Sequence, residues 1–116
     1  MSATVRRRLV EIVHGKSGDK GNTANAGLIV YDPRHYSILI EQVTAERVRA
    51  FLGDWITGDV TRYELPQLGA VNFVITGALG GGGTRSLRVD SLGKNMAAIL
   101  MRIEVDVPEA EGGEPK

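Results

Sequence analysis

The sequence predicts one α+β domain in which helices cover one face of a mainly antiparallel sheet. Three observations lead to this fold class. The chain has 116 residues, which is the size of one domain with one core. Segments with apolar residues at helical spacing alternate with segments whose apolar residues recur every second position. Two glycine-rich polar stretches interrupt these segments, and we expect both to be loops.

The N-terminal half predicts two strands followed by one helical element that consists of two stretches. Residues 9–13 form a short apolar run typical of a strand, and residues 28–31, which end at Asp32-Pro33, form another. Residues 15–25 lie between them and lack hydrophobic periodicity, which favours a loop. Helical spacing resumes after Pro33, and Thr44 is a predicted N-cap. The helix that follows is expected to bury one apolar stripe, formed by Val48, Phe51, Leu52 and Trp55.

The C-terminal half predicts a hairpin, a second glycine-rich loop, a helix and a last strand. Residues 60–65 and 71–75 alternate around a Pro-Gln-Leu-Gly turn, with Tyr63 and Leu65 sharing one face of the first strand. Residues 77–90 include four consecutive glycines. The helix is predicted from Leu92, Met96, Ile99 and Leu100, and residues 103–107 alternate as an amphipathic strand.

The order of the last six predicted elements, βαββαβ, is that of a ferredoxin-like sandwich. We therefore expect a ferredoxin-like α+β fold with an extra N-terminal strand and two helices on one face of the sheet. Residues 1–107 are predicted to form this single domain. Residues 108–116 are acidic and contain glycine, so we expect a disordered tail.

Composition excludes several classes of function. The 14 basic and 14 acidic residues cancel, so no net field favours nucleic acid or an anionic membrane. The chain has no cysteine and two histidines, which excludes thiolate chemistry and leaves few metal ligands. No apolar stretch reaches membrane-spanning length. We expect a cytoplasmic protein with no metal and with neither nucleic acid nor membrane as a partner.

Two nucleotide-binding motifs can be tested against the glycine-rich stretches, and both fail. A phosphate-binding P-loop ending at Gly15-Lys16-Ser17 would need a glycine where Val10 stands. The glycines that follow residue 77 do not have the spacing of a dinucleotide-binding fingerprint, and no helix is predicted directly behind them.

A site for an anion remains a coherent prediction. Glycines expose backbone N–H groups, and four cationic side chains lie beside them in the sequence: Lys16, Lys20, Arg85 and Arg88. The alternative is that these glycines only permit tight turns and that the charges are solvated. His14 could act as a general base oriented by Asp19 or Asp90, although a structural role for this histidine is the commoner case.

The two stretches and the intervening strand together resemble one family. The residues that carry the resemblance are Ser17-Gly18-Asp19-Lys20-Gly21 with Asn25, Arg62-Tyr63-Glu64-Leu65-Pro66, and Gly77-Ala78-Leu79-Gly80-Gly81-Gly82 with Thr84-Arg85-Ser86-Leu87. They resemble the small ferredoxin-fold domain of the acyclic terpene utilisation (AtuA) family. In that family the small domain commonly follows a much larger one, which is not part of this chain. The resemblance implies a separate large subunit, self-association into a homo-oligomer, or both.

The family resemblance also implies a setting, which is the breakdown of branched acyclic terpenes through coenzyme A thioesters. The leading hypothesis is a small subunit whose loops bind an anionic acyl group or acyl-CoA as substrate, with no other cofactor. The predicted ligand-binding residues are Lys16, Ser17, Asp19, Lys20, Asn22, Asn25, Gly81, Gly82, Thr84, Arg85 and Ser86. Two alternatives stay open: a self-contained hydratase or lyase with His14 or Asp19 as its base, and an oligomerisation module without a ligand.

The predicted topology argues against a site shared by the two loops within one chain. We expect the loop before residue 28 and the loop after residue 75 to lie at opposite ends of the sheet. They would then meet only across a subunit interface, or if the leading strand is placed so as to bring them together.

Overall fold

A computed structural model of the protein describes residues 3–20, 23–77 and 95–108, with residues 19 and 20 described by their backbone only. These residues contain β1 (Thr4–Arg8), β2 (Val13–Lys20), β3 (Thr23–Val30), α1 (Tyr36–Gln42), α2 (Ala45–Leu52), β4 (Val60–Leu65), β5 (Ala70–Thr76), α3 (Met96–Leu100) and β6 (Glu104–Pro108). The predicted α+β class is confirmed. None of these helices is long and apolar enough to span a membrane.

The strands form two antiparallel sheets. The main sheet has the order β2-β3-β5-β4, and β1 pairs with β6 in a separate two-stranded ladder. Strand β2 lies at one edge of the main sheet, but it begins at Val13, so it is displaced from the extra N-terminal strand predicted over residues 9–13. The last strand pairs with β1 instead of joining that sheet. Pro108, which the sequence assigns to the tail, ends β6 opposite Thr4, while residues 109–116 lie outside the described part of the chain.

The first glycine-rich stretch is a hairpin, and the prediction of a loop over residues 15–25 is wrong. Strand β2 runs through Gly15 and Gly18 to Lys20, and β3 begins at Thr23. Residues 9–13, predicted as a strand, instead contain a 3₁₀ turn at Leu9–Glu11 before β2 starts. The period of two is present in the hairpin, but small residues carry it, so it gives no hydrophobic signal.

One face of the main sheet packs against the helices. The side chains of β3 that point to this face are fully or almost fully buried, and they alternate along the strand: Ala24, Ala26, Leu28 and Val30. Val48 and Leu52 of α2 and Met96 of α3 are buried in the same core. Phe51 and Trp55 were predicted to join it but are 43% and 47% exposed. Trp55 lies beyond the end of α2 at Leu52, in a 3₁₀ turn that replaces the last predicted turn of the helix.

Arg62 of β4 holds the C-terminal end of α1 against the sheet. Its Nη1 donates hydrogen bonds to the backbone oxygens of Ile40 and Val43, both at 3.0 Å, and to that of Leu39 at 3.3 Å. Its side chain is only 15% exposed, and its Nη2 is paired with the Glu64 carboxylate at 2.8 Å. The last carbonyls of a helix have no partner within the helix, so this cation satisfies groups that burial would otherwise penalise.

Side chains also join α1 to β6. Gln42 donates from Nε2 to the backbone oxygen of Asp106 and accepts from the backbone nitrogen of Asp106, both at 2.8 Å, much as a neighbouring strand would.

Two exposed ion pairs perturb pKa values. Hydrogen bonds from Arg34 lower the pKa of Asp32 to about 2, and a hydrogen bond to Asp106 raises the pKa of Arg6.

Replacing Arg62 tests this contact. Arg62→Met is expected to lower the free energy of unfolding by about 1–3 kcal/mol, because carbonyl oxygens at the end of α1 lose a charged donor. Arg102→Met removes an equal charge from an exposed side chain and should change stability by less than about 0.5 kcal/mol. Chemical denaturation of both variants measures the difference. Equal losses of stability would contradict this role for Arg62.

Candidate functional site

The first glycine-rich stretch turns, and the second one begins, at the same end of the main sheet. Thr23, the first residue of β3, is paired with Thr76, the last residue of β5, and with Lys20 at the end of β2. Because β3 and β5 are antiparallel, the start of one lies beside the end of the other. The expectation that the two stretches lie at opposite ends is therefore wrong. The tip of the β2–β3 hairpin and the point where the second stretch leaves the sheet are neighbours within one chain.

Several predicted site residues cannot be placed at this end. Residues 21–22 and 78–94 lie outside the described part of the chain. They include the following predicted or considered residues: Asn22, Gly81, Gly82, Thr84, Arg85, Ser86, Arg88 and Asp90. Their assignment to a ligand site stays a prediction. The described anchors of the second stretch are Gly77 on one side and α3 on the other.

The first anchor is a tight contact between Gly77 and the segment before β4. Thr57 donates its backbone N–H to the oxygen of Gly77 at 3.3 Å, and Asp59 donates its backbone N–H to Oγ1 of Thr76 at 2.8 Å. Gly77 has a φ of 73°, and a Cβ added there would lie 2.5 Å from the Gly58 nitrogen. These contacts fix the direction in which the chain leaves β5. Thr57-Gly58-Asp59 is a turn signal directly before a strand, and this signal could have identified the segment from the sequence.

The second anchor is Ser17, which ties α3 to β2. Its Oγ accepts a hydrogen bond from the backbone nitrogen of Ala97 at 2.8 Å. Gly15 makes the approach possible, since a Cβ at Gly15 would lie 2.9 Å from the Cβ of Ala97. Ser17, a predicted ligand-binding residue, thus has a structural contact, and its hydroxyl proton remains able to donate.

The second face of the main sheet carries no helix of the described chain, and we call it the uncovered face. A row of paired positions crosses it: Lys16 on β2, Gly27 on β3, Asn72 on β5 and Tyr63 on β4. Asn25 lies on the same face, two residues from Gly27. Tyr63 points here and is exposed, whereas Arg62 points to the helix side. The structure brings together Lys16 and Asn25, two predicted ligand-binding residues.

His14 and Asp19 do not approach each other. They are five positions apart on the extended strand β2, which puts their Cα atoms about 17 Å apart. The His14 ring instead stacks on Tyr31, with centroids 5.1 Å apart and an interplanar angle of 29°. Asp19 therefore does not orient His14 as a base.

Two further features bear on the chemistry of the described residues. No group of three histidine, aspartate or glutamate side chains in residues 3–18, 23–77 and 95–108 is arranged to hold a metal ion. A shallow groove of about 700 Å³ lies between α2 and β4, with Glu46, Arg49, Asp54 and Asp59 in its lining. Its open shape and mixed charges do not single out a ligand.

Two glycine substitutions test the crowding at the first anchor. Neither Gly58 nor Gly27 has a positive φ, but a Cβ at Gly58 would lie 2.3 Å from Oγ1 of Thr76, whereas one at Gly27 meets only Oδ1 of Asn72, at 3.8 Å. Gly58→Ala is expected to lower the free energy of unfolding by about 1–3 kcal/mol. Gly27→Ala should leave it unchanged or raise it by up to about 1 kcal/mol. Thermal and chemical denaturation compare the two, and similar values would contradict the packing described.

Comparison with known proteins agrees with this architecture. The AtuA ferredoxin-like domain matches residues 7–106, from within β1 to within β6. No curated protein and no solved structure matches the chain. The predicted ferredoxin-like fold is confirmed, and the chain belongs to the family of AtuA ferredoxin-like domains.

Proposed function

We propose that this domain is the small, ligand-binding part of a cytoplasmic AtuA-type assembly and that it binds an anionic acyl group or an acyl-CoA. The observation that carries the proposal is the pairing of Thr23 with Thr76. This pairing sets the hairpin tip and the start of the second glycine-rich stretch side by side. Residues from both stretches therefore need no second subunit to contribute to one site.

The proposed chemistry follows from the residue types in the two stretches. Lys20 and Arg85 neutralise the negative charge of the ligand, and the backbone N–H groups of Gly81 and Gly82 donate hydrogen bonds. Asn22, Thr84 and Ser86 add polar contacts, and Asp19 orients a lysine. Lys16 and Asn25 extend the site along the uncovered face of the hairpin, whereas Ser17 lies on the opposite face, where its Oγ contacts α3.

The proposed partner is a larger AtuA-type subunit. Support comes from large apolar side chains that are exposed near one edge of the main sheet: Tyr63 and Leu65 on β4, and Leu68 in the following turn. An edge strand with exposed apolar side chains is suited to contact with another protein. The same observation favours the second candidate, a module that assembles subunits without a ligand. A hydratase in which Asp19 orients His14 has no support, given their separation along β2.

Calorimetric titration tests the ligand. The whole chain, alone and together with any large subunit that co-purifies from its cells, is titrated with isovaleryl-CoA and with free coenzyme A. We expect saturable binding of the thioester and at least about tenfold weaker binding in the double variant Lys20→Ala/Arg85→Ala, since each lost charge-assisted hydrogen bond is worth about 1.5–3 kcal/mol. Arg102→Ala is the control and should bind like the unmodified chain.

Two results would contradict the proposal. Absence of saturable binding both in the isolated chain and in the complex would leave the assembly module as the better account. Equal binding by the double variant and the control would show that the two stretches do not hold the ligand.

A further inference from the structure

We infer that the uncovered face holds a binding site for an aliphatic carboxylate, centred on Lys16 with Asn25 and Asn72 as its hydrogen-bonding side chains and Gly27 as its open floor. The inference deepens the proposed function and rests on it for Lys16 and Asn25. Asn72 and Gly27 are new to the site.

Gly27 is the first observation. It lies in the middle of β3, between β2 and β5, and has no positive φ. An added Cβ would meet only Oδ1 of Asn72, at 3.8 Å, whereas a Cβ at Gly15 would lie 2.9 Å from the Cβ of Ala97. Neither backbone conformation nor packing therefore requires glycine at position 27. Glycine weakens the interior of a strand, and a site where a ligand approaches the backbone is one reason for its presence.

Three polar side chains surround this floor. Lys16 and Asn72 are the direct neighbours of Gly27 on β2 and β5. Oδ1 of Asn25 lies 2.6 Å from the position of a Cβ on Gly18, so this carboxamide leans over β2 two residues from Lys16. Both carboxamides thus extend toward the strand positions around Lys16.

The hydrogen-bonding capacity of these three side chains is unused within the described residues. Lys16 makes no ion pair there, and the carboxamides of Asn25 and Asn72 make no hydrogen bond. An ammonium group supplies charge, and each carboxamide can turn its NH₂ group toward a ligand. One cation with two neutral donors matches a singly charged carboxylate.

Apolar residues next to this row indicate that the ligand carries an aliphatic chain. Ile29 on β3 is paired with Ala70 on β5, which is also paired with Leu65 on β4. These positions lie on the same face, two residues or about 7 Å along the strands from the row of Lys16. A carboxylate held at Lys16 can therefore lay an aliphatic chain across Ile29 on the adjacent strand, which a phosphate ion cannot use.

Titration of the ¹⁵N-labelled chain with octanoate tests the site by NMR. We expect saturable shifts of the backbone signals of β2, β3 and β5 around Lys16, Gly27 and Asn72. Octanamide, which has the same chain without the charge, should bind at least about tenfold more weakly. Inorganic phosphate should not displace octanoate. Equal binding of octanoate and octanamide, or displacement by phosphate, would overturn the inference.

Variants test the roles of Gly27 and of the Lys16 charge separately from loss of folding or of charge elsewhere on the protein. Lys16→Met and Gly27→Val are expected to weaken octanoate binding at least about tenfold, Lys16→Arg should retain it, and Arg102→Met is the matched loss of a distant charge. Thermal unfolding and the spectrum of each variant report whether it is folded. If Gly27→Val does not fold, Gly27→Ala replaces it and should weaken binding measurably. Octanoate binding that is unchanged in both Lys16→Met and the folded Gly27 variant would overturn the inference.

The same variants distinguish this site from the proposed function. The double variant Lys20→Ala/Arg85→Ala should lose isovaleryl-CoA binding but still show the backbone NMR shifts that octanoate causes. If isovaleryl-CoA binds through Lys20 and Arg85 while octanoate does not bind, the inference fails and the proposed function stands. If octanoate binds at Lys16 while the thioester does not bind to the chain or its complex, the proposed function fails and the carboxylate site stands.

Discussion

The antiparallel pairing of β3 with both β2 and β5 is the constraint on which the rest of the structure depends. Its register places Ala24, Ala26 and Leu28 toward the helices, where they are completely buried. A slip of one residue would turn them outward and bury Asn25 in their place. The core therefore fixes the register, and the register in turn decides which residues share the uncovered face and which ends of the chain meet.

This arrangement gives the two glycine-rich stretches different physical roles. In the first, Gly15 and Gly18 are strand residues that admit α3 and the Asn25 side chain. At the start of the second, Gly77 adopts a positive φ and packs against Gly58, which sets the path of the chain beyond β5. Glycine content marked both stretches in the sequence, but it did not distinguish strand packing from a turn.

Elements with strong local signals were predictable. Thr44 accepts a hydrogen bond from the backbone nitrogen of Arg47 at 3.1 Å, as an N-cap does, and the β4–β5 hairpin turns at Gly69 with a φ of 63°. Strand β1 was missed because its pairing with β6 joins the two ends of the described chain, and local periodicity carries no information on such a contact. The prediction that Trp55 is buried was wrong because a short 3₁₀ turn interrupts the helical period before this residue.

The candidate site was predictable in part. The residue types pointed to an anion, and Lys16 and Asn25 come together on adjacent strands. Asn72 and Gly27 were not identified, because their proximity arises from the pairing of strands that are far apart in the sequence. The pairing of His14 with Asp19 assumed a loop that could fold back, and an extended strand forbids it.

Cross-linking of positions 23 and 76 tests the central register most directly. The chain contains no cysteine, so Thr23→Cys/Thr76→Cys introduces a single pair. Residues opposite each other in an antiparallel ladder have Cα atoms about 4.5–5.5 Å apart, which suits a disulfide. We expect this pair to oxidise to an intramolecular disulfide, identified by mass spectrometry, while Thr23→Cys/Leu65→Cys, with its cysteines at opposite ends of the sheet, stays reduced. The reverse result would contradict the register and the shared end of the two glycine-rich stretches.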